Sequence, residues 1–136
     1  MALHYLKEIQ NSKLFKPQKI INGAYSTYYT FSAIFNGKKY GISWKEFRKR
    51  YISFGGDGIY GASKLLYQEP SFRKNTIGRC FKSCHKKCVT KCKGTPVAKY
   101  LQKNIMNFTT NQSSIHEVKK QAKVLRKTIK YFENKS

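Results

Sequence analysis

The sequence predicts an α+β fold, built on a small antiparallel sheet with basic helices at its C-terminal end. Two observations predict it. Residues Tyr25 to Phe35, YSTYYTFSAIF, are dense in aromatic and β-branched side chains and run into Asn36-Gly37 before KKYGIS. Asn-Gly between two strand-like runs is the strongest short-range signal of a β-hairpin, because both central residues of a type I′ turn need positive φ. Behind Thr95-Pro96, and again behind Ser114, apolar residues recur at helical spacing, and each run opens with a helix-start signal.

Taken in order, residues 1–22 read as an N-terminal arm. Leu3, Leu6, Ile9 and Leu14 stand near helical spacing, which predicts a helix to about Phe15, and Pro17 then restricts Lys16 to extended geometry. The same run loosely resembles an organelle-targeting peptide, but it lacks arginine and carries Glu8, so a short helix of the mature chain is the expectation. The hairpin follows. KEFRKRYISF, residues 45–54, reads as a further strand or as a short helix running into a strand at Arg50 to Phe54. The glycines of GGDG, 55–58, break the chain. Ile59 to Gln68 reads as a helix capped near Asp57 or Gly58, with Ile59, Ala62 and Leu66 on one face and Leu65 beside them, covering the sheet.

Residues 77–94 are a Cys/Lys-rich segment, and 95–136 read as two basic helices. In the first, Val97, Leu101, Ile105 and Phe108 continue at helical spacing after Pro96. Asn111 to Ser114 is a polar break. Ser114 and Glu117 form a capping-box pattern, after which Ile115, Val118, Ala122, Leu125, Ile129 and Phe132 make an apolar seam walled by lysines and Arg126. The seam is under three heptads long, marginal as a coiled coil, so packing on the domain's own body is expected.

Charge bounds the function. The chain has 28 Lys plus Arg against 6 Asp plus Glu, a net +22 in 136 residues, and self-repulsion of that size favours a polyanionic partner. No carboxylate occurs between Glu69 and Glu117, whereas Arg73, Lys74, Arg79, Lys82, Lys86 and Lys87 do. Basic residues also recur from Lys7 to Lys135. A DNA-binding domain usually concentrates charge on one face, whereas a protein embedded in RNA is contacted from several sides. Ten tyrosines, nine phenylalanines and one tryptophan supply the core and leave rings for stacking on bases, with Tyr28, Tyr29, Tyr40 and Tyr60 expected at the surface.

Other classes are disfavoured. No run of about 18 apolar residues occurs, so no membrane-spanning helix is expected. The six acids are scattered, His4, His85 and His116 form no cluster, and GGDG lacks the Lys-Ser/Thr of a phosphate loop. An enzyme is not expected.

Cys80, Cys84, Cys88 and Cys92 recur at every fourth position. On an unbroken helix they drift over roughly 120° and spread about 18 Å along the axis, too far for one zinc at about 2.3 Å from each sulfur. Three readings stand: reduced cysteines packing as small apolar residues, a zinc site in an irregular segment together with His85, or disulfides. No cofactor is expected unless the second holds.

Over residues 21–76 the order INGAYS, TYYTFSAIF, GKKYGIS, RYISF, a glycine-bearing turn and IYGASKLLYQEPSFRK resembles the ethylene-response-factor (APETALA-two) domain in its divergent apicomplexan form. Gly23 and Tyr25, Asn36 to Lys39, Arg50 to Phe54, Gly58 and Ala62 occupy the matching places. The resemblance implies a three-stranded antiparallel sheet packed on one helix over 23–76, gripping nucleic acid with its exposed face. It implies Lys38, Lys39, Lys45, Arg48, Lys49 and Arg50 as binding residues. Tyr40, the basic residues of 73–87 and Lys119, Lys123 and Lys127 of the last helix join them on the charge pattern.

The expectation is therefore a non-enzymatic RNA-binding part of a ribosome, mitochondrial or of another organelle, touching ribosomal RNA phosphates and neighbouring ribosomal proteins. The alternative is a nuclear, sequence-specific DNA-binding transcription factor with the sheet in the major groove.

Overall fold

The computed structural model describes residues 1–61, 64–65, 68–69 and 95–134. Spatial proximity divides the chain into two units, Met1–Gly61 with Asn104–Ser136, and Ala62–Lys103. The first is an α+β body. Its strands are β1 (Phe15–Pro17), β2 (Phe31–Phe35), β3 (Ile59–Tyr60) and β4 (Ile105–Phe108), and its helices are α1 (Ala2–Ile9), α2 (Trp44–Ser53) and α4 (Ile115–Glu133), with a 3₁₀ turn at Gly37–Tyr40. In the second, the described helix is α3, Pro96–Asn104, whose last residue lies across the division.

The expected α+β class holds, with four strands in place of three. They run in the order β1-β2-β4-β3, every pair antiparallel. β2 alternates: Phe31, Ala33 and Phe35 are buried while Ser32 and Ile34 are only partly covered, as a strand with one face on a core must. Opposite Phe31 stands Phe108, and opposite Ala33 stands Met106. On the other face, Ser32 Oγ donates to Asn107 Oδ1 at 2.7 Å. The inner face packs with Tyr5 and Ile9 of α1, Phe47 and Tyr51 of α2, and Leu125 and Ile129 of α4 into one cluster.

Residues 1–22, expected as an arm, supply α1 and an edge strand. α1 buries Ala2, Tyr5 and Ile9 and leaves Leu3 exposed, so its inward face is one residue off the expected leucine stripe. The reason is the tyrosine. Its ring sits 5.6 Å from that of Phe31 and 5.4 Å from that of Phe108, bridging β2 and β4.

The expected hairpin at Asn36-Gly37 does not form. Both sides of β2 are taken, by β1 and β4, and the Asn36 amide donates to the Leu14 carbonyl at 2.7 Å. Gly37 is not in the left-handed region. It is needed for space: a Cβ there would strike the Phe35 ring and lie 2.8 Å from the Ile42 carbonyl oxygen. The chain therefore tightens into the 3₁₀ turn and leaves it through Gly41 at φ 70°.

Arg50 to Phe54, read as strand, is the end of α2 and its cap. The cause is a capping box. The Ser43 amide donates to Glu46 Oε2 at 2.8 Å and the Glu46 amide donates to Ser43 Oγ at 3.2 Å, satisfying two of the helix's orphan donors. Phe47 and Tyr51, four apart, face the core. The helix stops at Gly55, φ 88°, whose amide returns to the Ile52 carbonyl at 2.9 Å.

Ile59-Tyr60, expected to open a helix, is instead strand β3 paired to Phe108 and Asn107; Ala62 and Leu66 of that expected helix lie outside the described residues. Pro96 does start a helix, but Ile105 and Phe108, read as its continuation, belong to β4. Their register with β2 overrides the helical spacing.

The last helix follows its sequence. Ser114 Oγ accepts the Glu117 amide at 3.2 Å, and the Glu117 carboxylate accepts from the Ser113 amide at 3.1 Å, one residue before the reciprocal partner of a full capping box. Val118, Ala122, Leu125 and Ile129 are buried, Phe132 packs against the core, and Ile115 stays exposed. Gln121, buried on the same side, accepts from the Tyr51 hydroxyl at 3.0 Å and the Asp57 amide at 2.9 Å, and donates to Asp57 Oδ1 at 3.0 Å. One side chain thus fixes the GGDG turn against α2 and α4.

Replacing Gln121 by Leu keeps the bulk but strands the Tyr51 hydroxyl and the Asp57 amide. At about 1–3 kcal/mol for each stranded group, the expected loss in a urea-unfolding measurement is about 2–4 kcal/mol. Lys120→Ala, one residue away and exposed, should stay within about 0.5 kcal/mol.

Candidate nucleic-acid interface

The six carboxylates decide what the basic residues can do. Glu8 accepts from Arg126 Nε at 2.5 Å and from its second nitrogen at 2.8 Å, tying α1 to α4. Glu46 and Glu117 serve helix starts. Asp57 accepts from Gln121 and, at 2.7 Å, from Gln112. Glu133 accepts from Ser12 Oγ at 2.8 Å and the Lys13 amide at 3.2 Å. Five of the six acids in the sequence thus hold backbone or side-chain groups of the fold, and among the described residues Arg126–Glu8 is the one ion pair. The described lysines have no acid partners.

Three placements follow. On α4, Lys119, Lys123 and Lys127 are exposed on the side away from Leu125 and Ile129, and with His116 and Lys120 they border a shallow groove of about 340 Å³. Steps of four residues set the three ammonium groups roughly 6 Å apart along the axis. Lys127 Nζ also lies 4.3 Å from the centre of the Phe54 ring, which brings the end of this stripe to the C-terminus of α2.

On α2, Lys45 and Lys49 are exposed, and with Trp44, Arg48 and Ile52 they line a second shallow groove. Arg48 is committed to the fold, its Nε donating to the Ile59 carbonyl at 3.0 Å. Trp44 is likewise anchored, donating its indole N–H to the Ile105 carbonyl at 3.1 Å. The third placement is the 3₁₀ turn, where Lys38, Lys39 and Tyr40 are exposed. Arg50 is half-buried beside Tyr131, donating to its hydroxyl at 2.8 Å with the guanidinium 4.2 Å over the ring.

The residues that the resemblance assigned to a gripping sheet face therefore sit on the 3₁₀ turn and α2. Four of them, Lys38, Lys39, Lys45 and Lys49, are exposed, while the two arginines brace the structure. Of the tyrosines expected outside, Tyr29, Tyr40 and Tyr60 are exposed, and Tyr28 turns inward against Phe31. Arg73, Lys74, Arg79, Lys82, Lys86 and Lys87 lie outside the described residues. So do the four cysteines and His85. Among the described residues, no three His, Cys, Asp or Glu side chains gather as a metal site.

Burial pushes the Tyr51 phenol up from its ordinary value, so it stays a neutral donor to Gln121. The hydrogen bonds from Ser43, its hydroxyl first and its amide second, hold the Glu46 carboxyl below its usual value. A depressed carboxyl favours the folded state above its ordinary pKa and loses that contribution as pH falls through the folded value. Ser43→Ala is accordingly expected to move the Glu46 midpoint upward in an NMR pH titration, and an unmoved midpoint would contradict this cap.

No protein-family model matches the chain, and no curated protein matches it significantly.

Proposed function

We propose that the protein is a structural RNA-binding component of a ribonucleoprotein particle, in keeping with a ribosomal role, and that it works by neutralising phosphate from several sides. The observation that carries this reading is the use of the acids. With five carboxylates engaged inside the fold and a net charge of +22, the counter-charge has to come from outside. Polyphosphate backbones supply it at high density, and the release of their condensed cations drives association.

RNA is favoured over a DNA major groove by the spread of the exposed charge. It occupies the 3₁₀ turn, α2 and α4, and the partly covered face of the sheet shows Ser32, Ile34, Ile105 and Asn107 instead of a basic row. A duplex reader concentrates its contacts on the element that enters the groove. A protein lodged between RNA segments does not.

Simultaneous Lys119→Ala, Lys123→Ala and Lys127→Ala tests the reading. The three are exposed, so the melting temperature should hold, while the slope of log affinity against log salt on structured RNA should fall by about 2 to 3, at roughly 0.7–0.9 for each phosphate left without its lysine. An unchanged slope would count against phosphate binding by α4. Ultraviolet cross-linking in cells should recover a few fixed RNA segments; recovery of DNA fragments sharing a short motif would favour a transcription factor instead.

A further inference from the structure

Beside α2 lies a cavity of about 460 Å³, lined among others by Tyr40, Ile42, Glu46, Lys49, Arg50 and Tyr131. That volume falls within the range of small-molecule sites, about 300–1,000 Å³, and its lining differs from the lysine grooves. Aromatic rings, a fixed guanidinium, an ammonium and a carboxylate converge on it. Arg50 is held in place by its hydrogen bond to the Tyr131 hydroxyl and its seat over that ring, so its planar face needs no reordering to meet a flat ligand. Tyr40 is 40% exposed and offers a second plane.

Glu46 gives the cavity its selectivity. Its Oε2 accepts the Ser43 amide at 2.8 Å, which fixes the carboxylate. The Ser43 hydrogen bonds keep it ionised, and Oε1 makes no hydrogen bond among the described residues. A site for phosphate alone would be weakened by this anion. A site for a base edge that donates N–H would use it, with Lys49, three residues along α2, left for the phosphate.

We propose that this cavity receives a single unpaired nucleobase carrying an exocyclic amino group (adenine, guanine or cytosine) in preference to uracil. The base stacks on Tyr40 and the Arg50 guanidinium, donates its amino N–H to Glu46, and sets its phosphate against Lys49. The inference rests on the RNA-binding reading for the source of the base, but its test does not need a long RNA.

The full chain is titrated by NMR with AMP, GMP, CMP and UMP, and with inorganic phosphate. The three amino-bearing nucleotides are expected to shift the Tyr40 resonances, with UMP several-fold weaker and phosphate without effect there. Tyr40→Ala should weaken nucleotide binding by roughly five- to a hundred-fold, the range for removal of a stacking partner. Glu46→Gln retains an oxygen for the Ser43 amide while presenting an N–H₂ donor, and should reverse the preference toward UMP. Equal binding of all four nucleotides, or no response to Tyr40→Ala, overturns the proposal. If structured RNA binds with its full salt slope while no mononucleotide binds, the cavity fails and the RNA reading stands. If mononucleotides bind selectively while structured RNA does not, the reverse holds.

Discussion

The Phe108 ring is the point on which the body is assembled. It lies 5.4 Å from the Tyr5 ring of α1, 6.1 Å from Phe15 of β1, 6.0 Å from Phe31 of β2 and 6.1 Å from Tyr51 of α2. Its backbone pairs with Phe31 on one side and Ile59 on the other. A residue that far along the chain cannot perform this role until both ends have met, so the sheet depends on contacts distant in sequence. Aromatic rings suit the task because each buries a large area and can tilt against several neighbours at once. In a chain with this much repulsion, the cohesion has to come from such apolar contacts.

The polar interactions are correspondingly few and each has a structural duty. Gln121 holds the turn after α2, Glu46 and Glu117 begin helices, and Glu133 gathers the loop after α1. Because the acids work inward, the outer surface is left basic. Fold and function thus draw on the same small set of carboxylates. A Lys placed on the outer face of α2 or α4 costs the fold little, since the inner faces of those helices are fixed by Phe47, Tyr51, Leu125 and Ile129.

What could be read from the sequence was what nearby residues determine. The α4 helix was legible because its cap and apolar seam lie within one segment, and the start of α3 was legible from Thr95-Pro96. The capping box of α2 carried the same signal, Ser43 followed by Glu46, as Ser114 followed by Glu117, but the aromatic density of the neighbouring run argued for strand. Asn36-Gly37 misled for a physical reason: glycine serves positive φ in a hairpin and close approach in this 3₁₀ turn, and the letters are the same. The assignment of Ile105 to Phe108 was decided by pairing with β2, over 70 residues away, which periodicity does not report. Of the candidate site, the exposed lysines were legible from composition. The commitment of Arg48 and Arg50 to internal partners was not, because Ile59 and Tyr131 come near them only on folding.

The charge also links folding to binding. Like charges brought together by folding raise the free energy of the compact state, and in the described residues only Arg126 is relieved by a carboxylate. A polyanion lying along the Lys119–Lys127 stripe removes part of that repulsion from the folded chain. The unfolded chain holds its charges farther apart and gains less from the same anion. Any ligand that prefers the folded form stabilises it by mass action, so the phosphate backbone acts on this protein both as its target and as a counter-charge that completes the body. The aromatic core around Phe108 then has to hold the fold alone only when no nucleic acid is bound.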